Sequence, residues 1–148
     1  MLAFDGFTYS GHPVAAAAGM KNIEIIEREG LLENARVVGE YFQAELRKLE
    51  EIPMVSEVRG VGLMAAVDCL KSGDLTGADR ERAYDIGSRI DKHCRTMGMI
   101  VRPIVSMCVL SPPLTVTKDQ VDEMIGILRK GIELAQEEVI AEGLWKPE

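Results

Sequence analysis

At Pro53 the apolar residues change their period, and that change limits the folds open to the chain. Before it, two stretches repeat apolar residues every three or four positions. After it, from Val55 to Leu70, they run in a strand-like pattern interrupted by Gly60 and Gly62. A chain holding both periods has to lay helices on a sheet. In the first helical stretch Pro13 takes a first-turn position, where its missing N–H costs nothing. Ala15 to Ala18 follow, and Met20, Ile23 and Ile26 share a face until Gly30. The alanines let another layer come close, which predicts a helix packed inside the core. In the second stretch Leu31, Ala35, Val38, Phe42, Leu46 and Leu49 line one side of a helix reaching Glu51.

After a polar loop at 72–78, Asp79 opens a third helix with Ala83, Ile86, Ile90 and Cys94 on one side, stopped by Gly98. Cys94 is predicted buried, and His93, on a different face, exposed. Met99 to Val101 reads as a strand ending in Arg102-Pro103, and Cys108 to Ser111 as another, ended by Pro112-Pro113. Thr117 and Gln120 stand as a capping box for a last helix whose face is Val121, Met124, Ile125, Leu128, Ile132 and Ala135. The tail after Gly143 is expected to fray unless Trp145 docks. Two helices followed by β-β-α-β-β-α predict an α/β fold: a small, mainly antiparallel sheet with helices packed on it.

The net charge of −7 carries no basic stripe, so nucleic acid is not an expected partner. No apolar run reaches the roughly 18 residues needed to cross a bilayer, and no membrane partner is expected. Cys69, Cys94 and Cys108 form no C-x-x-C pair, which suits reduced thiols and a cytoplasmic location. His12 and His93 are the only histidines, and no spacing gathers a metal site.

Two places carry candidate chemistry. Thr8-Tyr9-Ser10-Gly11-His12-Pro13 collects hydroxyls and free N–H groups at a helix N-terminus, which suits a phosphate or carboxylate but equally a plain capping loop. Arg102 brings a planar fork of donors out of an apolar strand, suited to a carboxylate or simply to a solvated strand end. Arg59 reads as structural or solvated. Gly60-Val61-Gly62 alone is too little for a nucleotide site.

Phe4-Asp5-Gly6-Phe7-Thr8-Tyr9-Ser10-Gly11-His12-Pro13-Val14-Ala15-Ala16 resembles a signature segment of the class III pyridoxal-phosphate aminotransferases, in their omega-transaminase branch. Val58-Arg59-Gly60-Val61-Gly62-Leu63-Met64 is similar to the segment that opens that family's small C-terminal domain. Gly98 to Arg102, with Pro112-Pro113 following, is similar to its segment holding the substrate-carboxylate arginine. The resemblance implies a fold-type-I PLP transferase. Residues 1–30 would be the end of the large cofactor domain and connecting helix, 31–142 the small C-terminal domain, and 143–148 a tail.

It further implies ping-pong transfer of an amino group from an amine or amino acid to a keto acid. Thr8, with Tyr9 and Ser10, would meet the phosphate of pyridoxal phosphate across a dimer interface, and Arg102 the substrate carboxylate. The family's Schiff-base lysine lies upstream of the Thr8 segment. Lys21, Lys48, Lys71, Lys92, Lys118, Lys130 and Lys146 instead fall on helix faces, a loop or the tail. The chain is therefore expected to lack that lysine and to be inactive and cofactor-free alone. It would act in a homodimer or with a complementing large-domain chain. The alternative is a non-catalytic dimerisation or partner-binding domain. One departure stands out: many relatives have a Gly-Asp or Gly-Asn turn after the arginine, where this chain has Ile104-Val105-Ser106-Met107.

Overall fold

The computed structural model describes residues 6, 8, 10–70 and 79–146, with side chains described outside 79–85. Helix α1 covers Pro13–Arg28 and α2 covers Leu31–Arg47. One residue closes the first and opens the second. Gly30, at φ 62, donates its N–H to Glu27 O at 3.2 Å, and its carbonyl accepts from Asn34 N at 3.0 Å. Rather than running as α-helix to Glu51, the chain tightens into a 3-10 turn over Lys48–Glu51 ahead of Pro53.

Strands β1 (Glu57–Val61) and β2 (Met64–Asp68) form a hairpin closed by the Val61–Met64 pair. Gly60 lies inside β1 instead of between the strands. A Cβ there would stand 2.3 Å from Met64 O and 2.9 Å from Gln43 Nε2. On α2, a Cβ at Gly39 would stand 2.8 Å from Gly62 Cα. Helix and hairpin thus meet backbone to backbone, and Gln43 fastens them by donating to Gly62 O at 2.8 Å and Met64 O at 3.2 Å.

Helix α3 (Asp79–Thr96) ends in a Schellman motif, with Gly98 N donating to Arg95 O at 3.1 Å and Met99 N to Cys94 O at 3.0 Å. Strands β3 (Arg102–Ile104) and β4 (Met107–Leu110) precede α4 (Lys118–Ala141). The capping box forms as the sequence predicts: Gln120 N donates to Thr117 Oγ1 at 3.3 Å, and Thr117 N to Gln120 Oε1 at 3.0 Å.

The sheet is antiparallel throughout, in the order β1-β2-β4-β3. Its register sets Ala65 against Leu110 and Val67 against Cys108. All four are buried and belong to one core with Leu46 of α2, Ile90 of α3, and Leu128 and Ile132 of α4. Met64 is exposed and Ala66, Met107 and Val109 are only partly covered, so the two faces of the sheet differ as alternation demands. The expected α/β class, small antiparallel sheet and helical cover are all present.

Three expectations fail in detail. Helix α1 was expected inside the core, yet none of its residues is buried, and Met20 and Ile23 are 74% and 58% exposed. Alanines contribute little area of their own, and the element α1 packs on is α2. The strand expected over Met99–Pro103 begins only at Arg102, because the Met99 N–H is taken by the α3 cap and the Val101 N–H by Asp91 Oδ1 at 3.2 Å. His93 is half-buried rather than exposed, since its Nε2 lies 3.0 Å from Glu138 Oε1 on α4; Cys94 is buried as predicted. Trp145 packs against the edge of the core, the condition under which the tail was expected not to fray. The expected loop at 72–78 lies outside the described residues.

Candidate functional site

Arg102 opens β3 at one edge of the sheet, paired in register with Val109. The preceding Val101 is buried at 3% exposure, so the chain surfaces abruptly at the guanidinium. Arg102 itself is exposed, and among the described residues no hydrogen bond or ion pair engages its guanidinium. It stands at the rim of a hollow of about 340 Å³ lined by Met99, Val101, Val109, Leu110, Pro113 and Met124 together with Ile100, Ser111 and Pro112. A cation beside an apolar wall suits a small molecule with a carboxylate at one end and carbon at the other. Next to it, the Asn34 side-chain amide donates to Leu114 O at 2.7 Å and Val116 O at 3.1 Å, tying the segment after Pro113 to α2.

The turn after Arg102 forms without the glycine or asparagine that such turns favour. Ile104 pairs with Met107, leaving Val105 and Ser106 as a two-residue connection, and Val105 takes φ 59. A β-branched residue in that left-handed region costs on the order of 1–3 kcal/mol. Ser106 is buried and donates its hydroxyl to Asp68 Oδ1 at 2.7 Å. Arg59 is occupied elsewhere, with its Nη1 at 2.6 Å from Glu57 Oε2 and 3.9 Å from Asp68 Oδ2.

At the other candidate place, Thr8 and Ser10 lie exposed in a turn before α1, and Tyr9 lies outside the described residues. The helix cap is neither hydroxyl. His12 is the N-cap, and its Nδ1 accepts from Ala15 N at 3.4 Å. Gly11, at φ 78, leaves open space where a side chain would stand. Hydroxyl donors on an open turn at a helix N-terminus fit a phosphate in their chemistry. No described residue of this turn lines the hollow at Arg102, so the two places remain separate within the chain.

Sequence reasoning missed Asn34, Asp68 and Ser106 as supports, since each acts on residues distant in sequence. Met124, on the core face of the last helix as predicted and packed against the core, also lines the hollow. The described lysines sit on helical surfaces or the tail: Lys21 pairs with Glu24 at 2.6 Å, Lys48 with Glu45 at 2.6 Å, and Lys118 lies 5.1 Å from the Tyr41 ring centre.

Comparison with known proteins bears on the family and the fold. The family model for class III aminotransferases matches residues 2–132. An aminotransferase of Sinorhizobium fredii is 41% identical over 142 residues, covering 93% of this chain and 30% of the relative. Putrescine–pyruvate aminotransferase of Pseudomonas aeruginosa is 37% identical over 141 residues, covering 93% and 30%. A solved transaminase with L-alanine superposes with a TM-score of 0.83 at 38% identity, covering 92% of this chain and 32% of that one. The chain thus spans about 30% of the length of the curated relatives it matches. A family model matched over most of its length, with a fold shared at substantial identity, places this chain in the class III aminotransferase family.

Proposed function

We propose that the chain is the C-terminal part of an aminotransferase that moves an amino group from an amine or amino acid to a keto acid, with Arg102 holding the substrate carboxylate. The observation that carries this reading is the unpaired, exposed guanidinium at the rim of an apolar hollow. A keto acid such as pyruvate, the acceptor in the name of one relative, would place its carboxylate on Arg102 and its carbon end against Val109 and Met124.

In this reading residues 1–30 complete a large cofactor domain, and 31–142 form the small domain of a cytoplasmic homodimer. Thr8, with Tyr9 and Ser10, would hold the phosphate of a partner subunit's pyridoxal phosphate. When bound, that group supplies the electron sink for loss of the donor's α-proton. The lysine that moves the proton comes from outside these residues, in the same polypeptide or in a complementing chain. This chain's part is to orient: Arg102 fixes one end of the acceptor, and the apolar wall excludes water from the other.

The test is to combine the chain with a lysine-bearing large-domain polypeptide of a class III relative. Amino transfer to pyruvate and to an aldehyde lacking a carboxylate is then measured, with and without Arg102→Ala. A lost charge-assisted pair raises the pyruvate KM by about 10- to 100-fold and leaves the aldehyde KM within about twofold. Equal effects on both acceptors would refute the role of Arg102. A second reading, a non-catalytic pairing domain, draws on the uncovered Met20 and Ile23 of α1. It is favoured if the chain associates with itself or the large-domain polypeptide and no transfer is detected.

A further inference from the structure

We infer that Gly87 and Ser106 are positioning residues for Arg102, holding the turn of its hairpin from α3 on one side and β2 on the other. The inference rests on the reading of Arg102 as the carboxylate-binding group.

The hairpin cannot set its own register firmly. β3 has three residues, forms an edge of the sheet, and includes Pro103, which has no N–H to give the ladder. A slip of one residue would carry Arg102 to the opposite face of the sheet and away from the hollow. Nor does the turn favour itself. Val105 sits at φ 59 without the glycine or asparagine that relaxes such a position, and a residue of its shape stays there only where its surroundings impose it.

Those surroundings can be named. The Val105 carbonyl accepts a hydrogen bond from Gly87 N in α3 at 3.1 Å. A Cβ on Gly87 would stand 2.6 Å from that oxygen, 3.1 Å from Pro103 Cβ and 3.3 Å from Met107 O. The α3 backbone therefore lies directly against both arms of the hairpin, which no other residue type would allow. From the other side, Ser106 is 6% exposed. Its hydroxyl donates to Asp68 Oδ1 at 2.7 Å, and its carbonyl accepts from Cys69 N at 3.2 Å. The closing pair Ile104–Met107 is thus pinned to two elements, and Arg102–Val109 lies two rungs away.

Gly87→Ala and Ser106→Ala test this in the lysine-bearing assembly described above, beside Arg102→Ala and the rescue variant Ser106→Thr. Misaiming the guanidinium raises the pyruvate KM about fivefold or more in both variants and leaves kcat and the aldehyde KM within about twofold, whereas Ser106→Thr, which keeps the hydroxyl, stays near the wild type. Independently of turnover, the Arg102 Nε resonance of the nitrogen-15-labelled chain is titrated with pyruvate, where the same variants weaken binding by a similar factor. If Gly87→Ala fails to fold, Ser106→Ala decides alone. Folded variants that leave the pyruvate KM and titration unchanged, while Arg102→Ala alters them, overturn the positioning role and leave the reading of Arg102 intact. An Arg102→Ala variant with unchanged pyruvate KM overturns both.

Discussion

The guanidinium of Arg89 on α3 meets the carboxylate of Glu142, just past α4, through two hydrogen bonds of 2.7 and 2.8 Å. The same arginine lies 3.5 Å from Glu138 Oε2, whose other oxygen is 3.0 Å from His93 Nε2. A polar clasp therefore crosses the two helices that cover the sheet. The hydrogen bond from Arg89, helped by its charge, holds the Glu142 carboxyl below its ordinary value against an opposing effect of desolvation. A group with a depressed folded pKa stabilises above its unfolded value and loses that contribution as pH falls through the folded one. Glu142→Gln should therefore lower Tm by about 2 °C or less near neutral pH, as expected for an exposed pair. The gap should close as pH drops below about 4. A gap that stays constant from neutral pH to pH 3 would show that the charge is not its source.

Where α3 and α4 cross, a Cβ on Gly131 would stand 2.7 Å from Cys94 Sγ and 3.4 Å from Ile90 O. Gly131→Ala should cost about 1–3 kcal/mol in denaturant unfolding through overpacking. Cys94→Ala in the same chain should recover a large part of that loss, because the closest obstacle is a side chain. Additive losses in the double variant would contradict a clash at this spot.

Removal of the α4 cap by Thr117→Ala leaves the Gln120 N–H without its acceptor, at a cost of about 1 kcal/mol. Thr117→Ser keeps the oxygen and should stay within a few tenths of the wild type. Equal stabilities for alanine and serine would mean that the box contributes nothing.

Cys69, Cys94 and Cys108 are all buried. Burial pushes the Cys69 thiol up to about 12 and Cys94 up to about 11, and raises Cys108 as well. At pH 8 the native chain should give no rapid reaction with an aromatic disulfide reagent, and all 3 thiols should titrate in denaturant. Fast labelling of Cys94 in the native chain would mean that α3 opens locally.

What could be read from the sequence was the chemistry that acts over three or four residues. Thr117 and Gln120 announced their box, Gly98 stopped α3, and the apolar pattern from Val55 to Leu70 marked strands. Two of the errors have one cause. Met99 and Val101 look like strand residues, but their N–H groups go to Cys94 O and Asp91 Oδ1, which only the folded α3 brings near. His93 looked exposed because its partner, Glu138, lies 45 residues away. At the candidate site Arg102 was legible through its segment, whereas its supports were not. Ile104 to Met107 carries none of the residues that advertise a tight turn, and the restraints that impose one come from Gly87 and Asp68.

The exposed position of α1 separates two events that most small domains combine. Sixteen residues is near the length at which a lone helix in water is only marginal. The amides of α1 should therefore exchange with solvent deuterium through local fraying, while those facing the core on α4 wait for global opening. Anything that comes to rest on Met20 and Ile23 would slow the first set and leave the second untouched. Exchange along α1 is thus a built-in gauge of association, readable without disturbing any group proposed to take part in the chemistry.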